Sequence, residues 1–312
     1  MKIFLVIAIL AVLLIIFFFI FGYLCFRRTC KRNPKRDPYS RGYIDIDKYA
    51  PYDKEMKSAL EAYEKLEKET VYIDSVDSIR LAASFISAQK PTKKIIIAFH
   101  GYRSCAAADF SPIASSLIKE GFSLLLPDQR AHGRSEGKYI TFGAFERLDC
   151  GSWCEYVRER FGEDTEIYLY GVSMGAATVL MSSETELCEN VRGIIADCGF
   201  TSPWDIIKNT LIHKYKIPVY PVIYFMNLYS RILARFDFKE VSSVAAMKKN
   251  VLPILFIHGN EDLYVPVYMS QRISEACGEK GRLLLFDGAR HARSYLSDSQ
   301  RYLDELKAFF NF

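Results

Sequence analysis

No C-x-x-C pair occurs among the eight cysteines, and that spacing argues against a zinc ribbon. The body of the chain has no basic stripe, so a nucleic-acid partner is not expected. The net charge of +4 hides this: residues 1–41 carry eight Lys or Arg and one acid, a net +7, and the rest carries a net −3. No internal repeat divides the chain, and half of its 312 residues are apolar. One large α/β domain fits that length. The most informative absence is of any charge from Ile3 to Phe26. A helix over those 24 positions is roughly 36 Å long, enough to cross a hydrocarbon core of about 30 Å.

A cleaved signal peptide is the competing reading of this run. The run is long, lacks an A-x-A-like site, and stops abruptly at Arg27-Arg28, all of which favour an uncleaved anchor. Six Lys or Arg follow within ten residues. The positive-inside rule then places the carboxy-terminal domain in the cytoplasm, as a single-pass protein. The basic segment is expected to lie close to anionic headgroups. Scattered cysteines agree with a reducing compartment. Cys25 and Cys30 flank the membrane boundary and are candidates for acylation. Cys150 and Cys154, four apart, read as small buried residues on one helix face.

A polar linker with Pro34, Pro38 and Pro51 follows, and then a helix over about 53–69. From Val71 the pattern becomes short apolar runs separated by helical stretches. Val71–Ile73 and Ile79–Ile86 form an antiparallel opening pair. Lys94–Phe99, Phe122–Leu126, Ile167–Tyr170, Val191–Ala196, Leu252–Ile257 and Leu283–Phe286 complete eight strands. Near-continuous apolar runs are what strands need when helices cover both sheet faces, and strand–helix alternation implies a mostly parallel sheet. Ligands bind beyond the carboxyl ends of such strands, where His100-Gly101, Asp197, His258-Gly259 and Asp287-Gly288 all fall. The spacing breaks once, over about 201–250. There the uncharged, aromatic stretch Ile217–Leu228, interrupted by Pro218 and Pro221, is too short for a second span. It reads as an inserted cap with apolar walls for a substrate, in preference to ordinary packing helices. The organisation is thus an anchor over 1–26, a basic linker over 27–52 and one domain over 53–312.

The chemistry centres on Gly171-Val-Ser-Met-Gly175, directly after the strand Ile167–Tyr170. Strand, G-x-S-x-G, then helix is the form of a nucleophile elbow. A serine hydroxyl needs a neighbouring base, and the base needs a buried acid to hold its tautomer. His291, after the last strand, is the candidate base for Ser173. Asp262, after the penultimate strand, is the candidate acid, with Asp197 as its rival. Glu261 is expected to point outward and Asp287 to serve a turn. His100 and His132 are expected to be structural, His213 to lie in the cap, and His258 to be a turn residue. Oxyanion donors are expected from the backbone N–H groups of Met174 and Tyr102; the Tyr102 side chain is the alternative, as a pocket wall. This chemistry calls for no cofactor and no metal.

Taken together, an H-G after an early strand, an elbow after a middle one, and Asp and His after the last two resemble the α/β-hydrolases over roughly 71–312. Asp128-Gln-Arg-Ala-His-Gly-Arg-Ser-Glu-Gly137 resembles the D-x-R-x-H-G-x-S-x-G loop of the capped subgroup that includes serine-aminopeptidase-like and monoacylglycerol-lipase-like hydrolases. Leu255-Phe-Ile-His-Gly-Asn-Glu-Asp262 resembles its L-x-I-H-G-x-x-D acid loop. The resemblance implies an α/β-hydrolase fold with a mostly parallel eight-stranded sheet and a helical cap. It also implies Ser173, Asp262 and His291 as a triad, and esterase or peptidase activity. The expectation is a membrane-anchored hydrolase of a carboxylic ester or lipid-derived acyl substrate. A serine peptidase and an acyl-protein thioesterase are alternatives, as is a non-catalytic tethered binding protein.

Overall fold

Side-chain alternation along the strands decides the architecture. The computed structural model describes residues 1–33, 39 and 44–311. Strands β1 (Glu69–Asp74), β2 (Arg80–Ile86), β3 (Lys94–Phe99) and β4 (Ser123–Asp128) precede the elbow. Strand β5 (Glu166–Val172) leads into it, and β6 (Val191–Asp197), β7 (Ile254–Gly259) and β8 (Gly281–Phe286) follow. They form one eight-stranded sheet in the order β1-β2-β4-β3-β5-β6-β7-β8. The pairs β1–β2 and β2–β4 are antiparallel; the other pairs are parallel.

Each sheet face has its own core. Ile96, Ala98, Leu124, Leu126, Tyr168 and Tyr170 pack on one side, with helices α3 (Ala106–Lys119) and α11 (Ser299–Phe310). Their strand neighbours Ile95, Ile97, Phe99, Leu125, Ile167 and Leu169 pack on the other. There they meet α4 (Glu146–Phe161), α5 (Met174–Ser182), α8 (Ser243–Met247) and α9 (Tyr268–Cys277). This is the period-two split of a strand buried on both faces. Cys150 and Cys154 are fully buried on α4 beside Trp153, as expected of small apolar groups.

A third cluster holds the cap together. It joins α6 (Pro203–His213), α7 (Val222–Tyr229) and the π-helical turn Ser230–Ala234 to Met174 at the elbow. The cap is thus shorter than the expected 201–250. Ala246 and Met247 of α8 rejoin the sheet core, so the insertion ends before that helix. Helix α2 (Asp53–Glu64) likewise ends earlier than expected, because the chain must extend to enter β1 at Glu69. The short helix α10 (Ser294–Ser297) precedes α11.

The amino-terminal helix α1 (Lys2–Cys30) continues four residues past Phe26. Its first two-thirds are exposed, but Gly22, Phe26 and Cys30 are buried, and Phe26 and Cys30 belong to the cap cluster. Backbone bonds then stitch the following residues to the domain: Ile140 donates to the Cys30 carbonyl at 2.7 Å, and Arg32 to the Lys138 carbonyl at 2.9 Å. Residues 27–32 are therefore docked rather than a free tether. Of the expected linker, residues 34–38 and 40–43 lie outside the described residues. Cys30 is enclosed and cannot accept an acyl group in this conformation, whereas Cys25 keeps partial exposure.

Candidate active site

Ser173 has φ 56° and ψ −112°, a conformation that costs a non-glycine residue about 1–3 kcal/mol. Close packing enforces it. A Cβ on Gly175 would overlap the Phe99 carbonyl, and one on Gly171 would overlap the Gly175 carbonyl. Helix α5 can press against the ends of β3 and β5 only because both positions lack a side chain. The Ser173 amide is occupied by the Asp197 carbonyl at 2.8 Å, which leaves its hydroxyl to turn outward.

The hydroxyl meets His291, with Oγ 2.9 Å from Nε2. On the other edge of the ring, Nδ1 lies 2.6 Å from Asp262 Oδ2. With the ring proton on Nδ1, His291 donates to Asp262 and accepts from Ser173, the arrangement required of a general base. Two loops are clasped to bring these groups together: Glu261 donates its amide to the Ala289 carbonyl at 3.0 Å, and Asn260 to the Phe286 carbonyl at 3.0 Å.

Asp262 is buried and fully partnered. Its Oδ1 accepts from the Tyr264 and Val265 amides, each at 2.8 Å. Its Oδ2 also lies 3.3 Å from His258 Nε2. Burial raises the pKa of this carboxyl. The His291 ring and the hydrogen bonds from His258, His291 and Val265 outweigh burial and hold it well below the usual carboxylate range. His258 is thus more than a turn residue. With its proton on Nε2, shared between Asp262 and the Val265 carbonyl at 2.8 Å, it braces the acid from behind; its Nδ1 pairs with Ser270 Oγ at 2.6 Å.

The rival acid, Asp197, makes no bond to His291. Its Oδ2 accepts from the Tyr302 hydroxyl at 3.0 Å, and burial pushes its carboxyl up to about 6. Glu261 points outward, and Asp287 serves a turn, accepting from Asn260 at 2.7 Å. His213 is exposed at the end of α6. Cys198, Asp262 and His291 place possible ligand atoms within 4.8 Å of one another. Burial and the neighbouring Asp197 and Asp262 carboxylates keep the Cys198 thiol protonated, so this donor set suits a hydrogen-bonded triad better than a metal.

The loop after β3 is shaped from both sides. Gly101 gives its amide to Asp109 at 2.6 Å, and Arg103 gives its amide to His132 Nε2 at 3.0 Å. The intervening Tyr102 amide has no hydrogen-bond partner among the described residues. Met174 opens helix α5, so its amide is one of the helix's orphan donors. The Tyr102 side chain also lines a pocket, stacking on Phe142 at 5.1 Å. Opposite it Tyr264 packs on His291 at 5.0 Å, and Ile207 and Leu211 of α6 form the roof. The free space within is about 30 Å³, room for only a couple of waters, and a wider cleft of about 430 Å³ adjoins it at Thr210, Lys214 and Tyr264.

The loop Asp128–Gly137 is the scaffold beneath this. Arg130 clamps Asp149 of α4 at 2.7 and 2.6 Å, and the Gln129 amide bonds His100 Nε2 at 3.1 Å. His132 is enclosed beside His100, and burial drives it down to about 3. In the unfolded chain it would titrate near about 6.5. Its contribution to stability is therefore complete above about 6.5 and is lost progressively as pH falls toward 3. At about pH 5 the loss amounts to about 2 kcal/mol. His132→Gln, which keeps an acceptor for Arg103, should melt with a flatter profile than the wild type between about pH 6.5 and 4. Thermal unfolding of both full-length proteins in detergent checks this; parallel profiles would refute it.

A profile of the family described as serine aminopeptidase, S33, matches residues 90–249. The protein YqkD of Bacillus subtilis is 26% identical over 251 residues, covering 80% of this chain and 82% of its own length. The caffeoylshikimate esterase of Arabidopsis thaliana is 27% identical over 119 residues, covering 37% of this chain and 36% of that enzyme. Among solved structures, the Pyrococcus furiosus esterase Pf2001 superposes with a TM-score of 0.65 at 24% identity, covering 80% of this chain and 92% of that one. The Exiguobacterium antarcticum esterase EaEST does so with a TM-score of 0.59 at 16% identity, covering 78% of this chain and 99% of that one. The sheet order, the elbow and the matched profile agree: the chain belongs to the serine aminopeptidase S33 family of α/β-hydrolases and is an enzyme of the hydrolase class.

Proposed function

We propose that this chain is a membrane-anchored serine hydrolase that cleaves a carboxylic ester or lipid-derived acyl substrate. The observation that carries the reading is the unbroken chain of contacts from Asp262 through His291 to Ser173. In the reaction, the Ser173 oxygen attacks the acyl carbon as its proton passes to His291 Nε2. The Tyr102 and Met174 amides receive the oxyanion. His291 then protonates the leaving alcohol, and a water repeats the sequence on the acyl-enzyme. Asp262 remains ionised throughout and holds the imidazole in place.

The family description favours a second reading, an aminopeptidase. A free amino terminus is a cation and calls for a carboxylate in its subsite. The pocket beside His291 is lined instead by aromatic and aliphatic side chains, with Thr29, Thr210 and one cation, Lys214. That chemistry favours an uncharged or anionic acyl substrate. Anchoring rests on the exposed, uncharged length of α1. Its burial in the cap cluster from Gly22 onward supports a retained helix over a cleaved signal, and the basic residues after it support a cytoplasmic domain.

Because α1 forms part of the cap core, the test uses the full chain in detergent. Ser173→Ala and His291→Ala should each lower p-nitrophenyl ester turnover by several orders of magnitude with little change in melting temperature. Asp262→Asn should cost roughly 10⁴-fold, through loss of the correct tautomer. Asp197→Asn should leave the rate within about tenfold. Near-normal turnover in Ser173→Ala sinks the serine mechanism, and a larger loss in Asp197→Asn than in Asp262→Asn reassigns the acid.

A further inference from the structure

The cap carries an apolar face that the hydrolase reading leaves without a role. The segment Ile217–Ser230 contains no charged residue; Arg231, paired with Asp237 at 3.7 Å, and Lys239, 5.7 Å over the Tyr224 ring, border it. Tyr220, Tyr224, Leu228 and Ile232 recur at four-residue spacing, and all four are exposed. Such a stripe on a soluble helix ordinarily faces the core. Here it lies beside a second exposed apolar surface, α1 itself. Phe225 packs against Phe18 and Phe19 with centroids 6.5 and 6.3 Å apart. Tyr229 packs against Phe19 and Tyr23, both at 5.1 Å. Gly22 admits the contact, because a Cβ there would overlap that of Phe225. A small residue at a close helix crossing is how helices pair within a bilayer.

Helical rise fixes the depth of this pairing. Phe18 lies nine residues before Arg27, the first charge after the span, or about 13 Å along the axis. Half of a hydrocarbon core is about 15 Å. If α1 spans the bilayer, α7 runs beside the part of it that lies in one leaflet. Thr29, just past the first charges, lines the pocket beside His291, and Arg28 and Lys214 flank that wall through Tyr215. The pocket therefore sits at the level of lipid headgroups and ester carbonyls, with cations where phosphates lie.

We propose that the apolar face of α7, continued by Ile232, is immersed in the same leaflet as the end of α1, with the Arg231–Asp237 pair outside it, so that the site draws an acyl ester of a membrane lipid directly from that leaflet. This rests on the serine-hydrolase and anchored readings above. The experiment uses the full chain in phosphatidylcholine–phosphatidylglycerol vesicles. Tryptophan in Leu228→Trp should show blue-shifted emission, quenched by lipids brominated along the acyl chain and insensitive to aqueous iodide. The double variant Leu228→Glu/Ile232→Glu, which alters only the exposed stripe, should lose at least about tenfold in hydrolysis of a long-chain fluorogenic ester embedded in the vesicles. Its hydrolysis of p-nitrophenyl acetate in detergent should match the wild type. Iodide quenching without bromolipid quenching overturns the immersion, as does unchanged vesicle turnover in the double variant, while acetate hydrolysis leaves the hydrolase reading standing. Absence of acetate hydrolysis by the wild type sinks the hydrolase reading and with it the leaflet substrate, whereas the bromolipid readout still decides where α7 lies.

Discussion

The approach of helix α5 to the ends of β3 and β5 is the constraint on which the site depends. Gly175 lies against the Phe99 carbonyl so closely that no side chain fits, and Gly171 lies equally close to the Gly175 carbonyl. This contact forces Ser173 into its positive-φ conformation. It also sets the serine beside Gly101, whose position would bring an added Cβ to 3.3 Å from the Ser173 Cβ. Ser173 and the loop after β3 are therefore placed by one packing event. The strain at Ser173 persists because the surrounding sheet over-determines it: its amide is held by Asp197 and its carbonyl accepts from Ala177.

Around that contact, buried polar groups are sorted by how fully they are satisfied. Asp262 collects two backbone amides and two imidazoles, and a carboxylate so supplied stays ionised despite burial. Asp197 is just as buried, yet it has the Tyr302 hydroxyl on one oxygen, and its other oxygen lacks a partner among the described residues. Burial then dominates and raises it. Two carboxylates at adjacent strand ends thus acquire opposite characters from their surroundings alone. His132 follows the same logic in reverse, since enclosure keeps it neutral and able to accept from the Arg103 amide.

The strands and the meeting of Ser173, Asp262 and His291 were legible because both obey strict local rules. Short apolar runs mark strands buried on two faces, and ligand-facing groups stand at their carboxyl ends, so the positions of Ser173, Asp262 and His291, which the structure brings into hydrogen-bond contact, could be located without coordinates. His258 was legible as a strand-end residue but not as a brace for Asp262, because that contact depends on how the chain curls through Leu263 to Val265. The cap boundary was missed for a related reason: Ala246 and Met247 are apolar enough to belong to either layer, and only the packing assigns them to the sheet. Docking of α1 was hidden by ambiguity of composition. Phe18, Phe19, Tyr23 and Phe26 suit a bilayer and a protein core equally. The one available signal was a pairing of opposites, a lone glycine at position 22 amid large side chains and a matching aromatic cluster at Tyr224, Phe225 and Tyr229.

That docking changes what the amino-terminal apolar helix does here. A helix joined to its domain by a free linker localises an enzyme but leaves its orientation to diffusion. In this chain the helix ends inside the cap, and Tyr102, in the loop after β3, donates its hydroxyl to the Thr29 carbonyl at 2.7 Å. Arg103 likewise reaches the Arg28 carbonyl at 2.6 Å. The last turn of α1 and the loop after β3 are thereby one hydrogen-bonded unit. Any rotation or withdrawal of the helix is transmitted to that loop, whose Tyr102 amide is the proposed oxyanion donor. On the proposed mechanism a misplacement of about 1 Å in such a donor costs about a hundredfold in rate, so the geometry of α1 would enter the rate as well as any address.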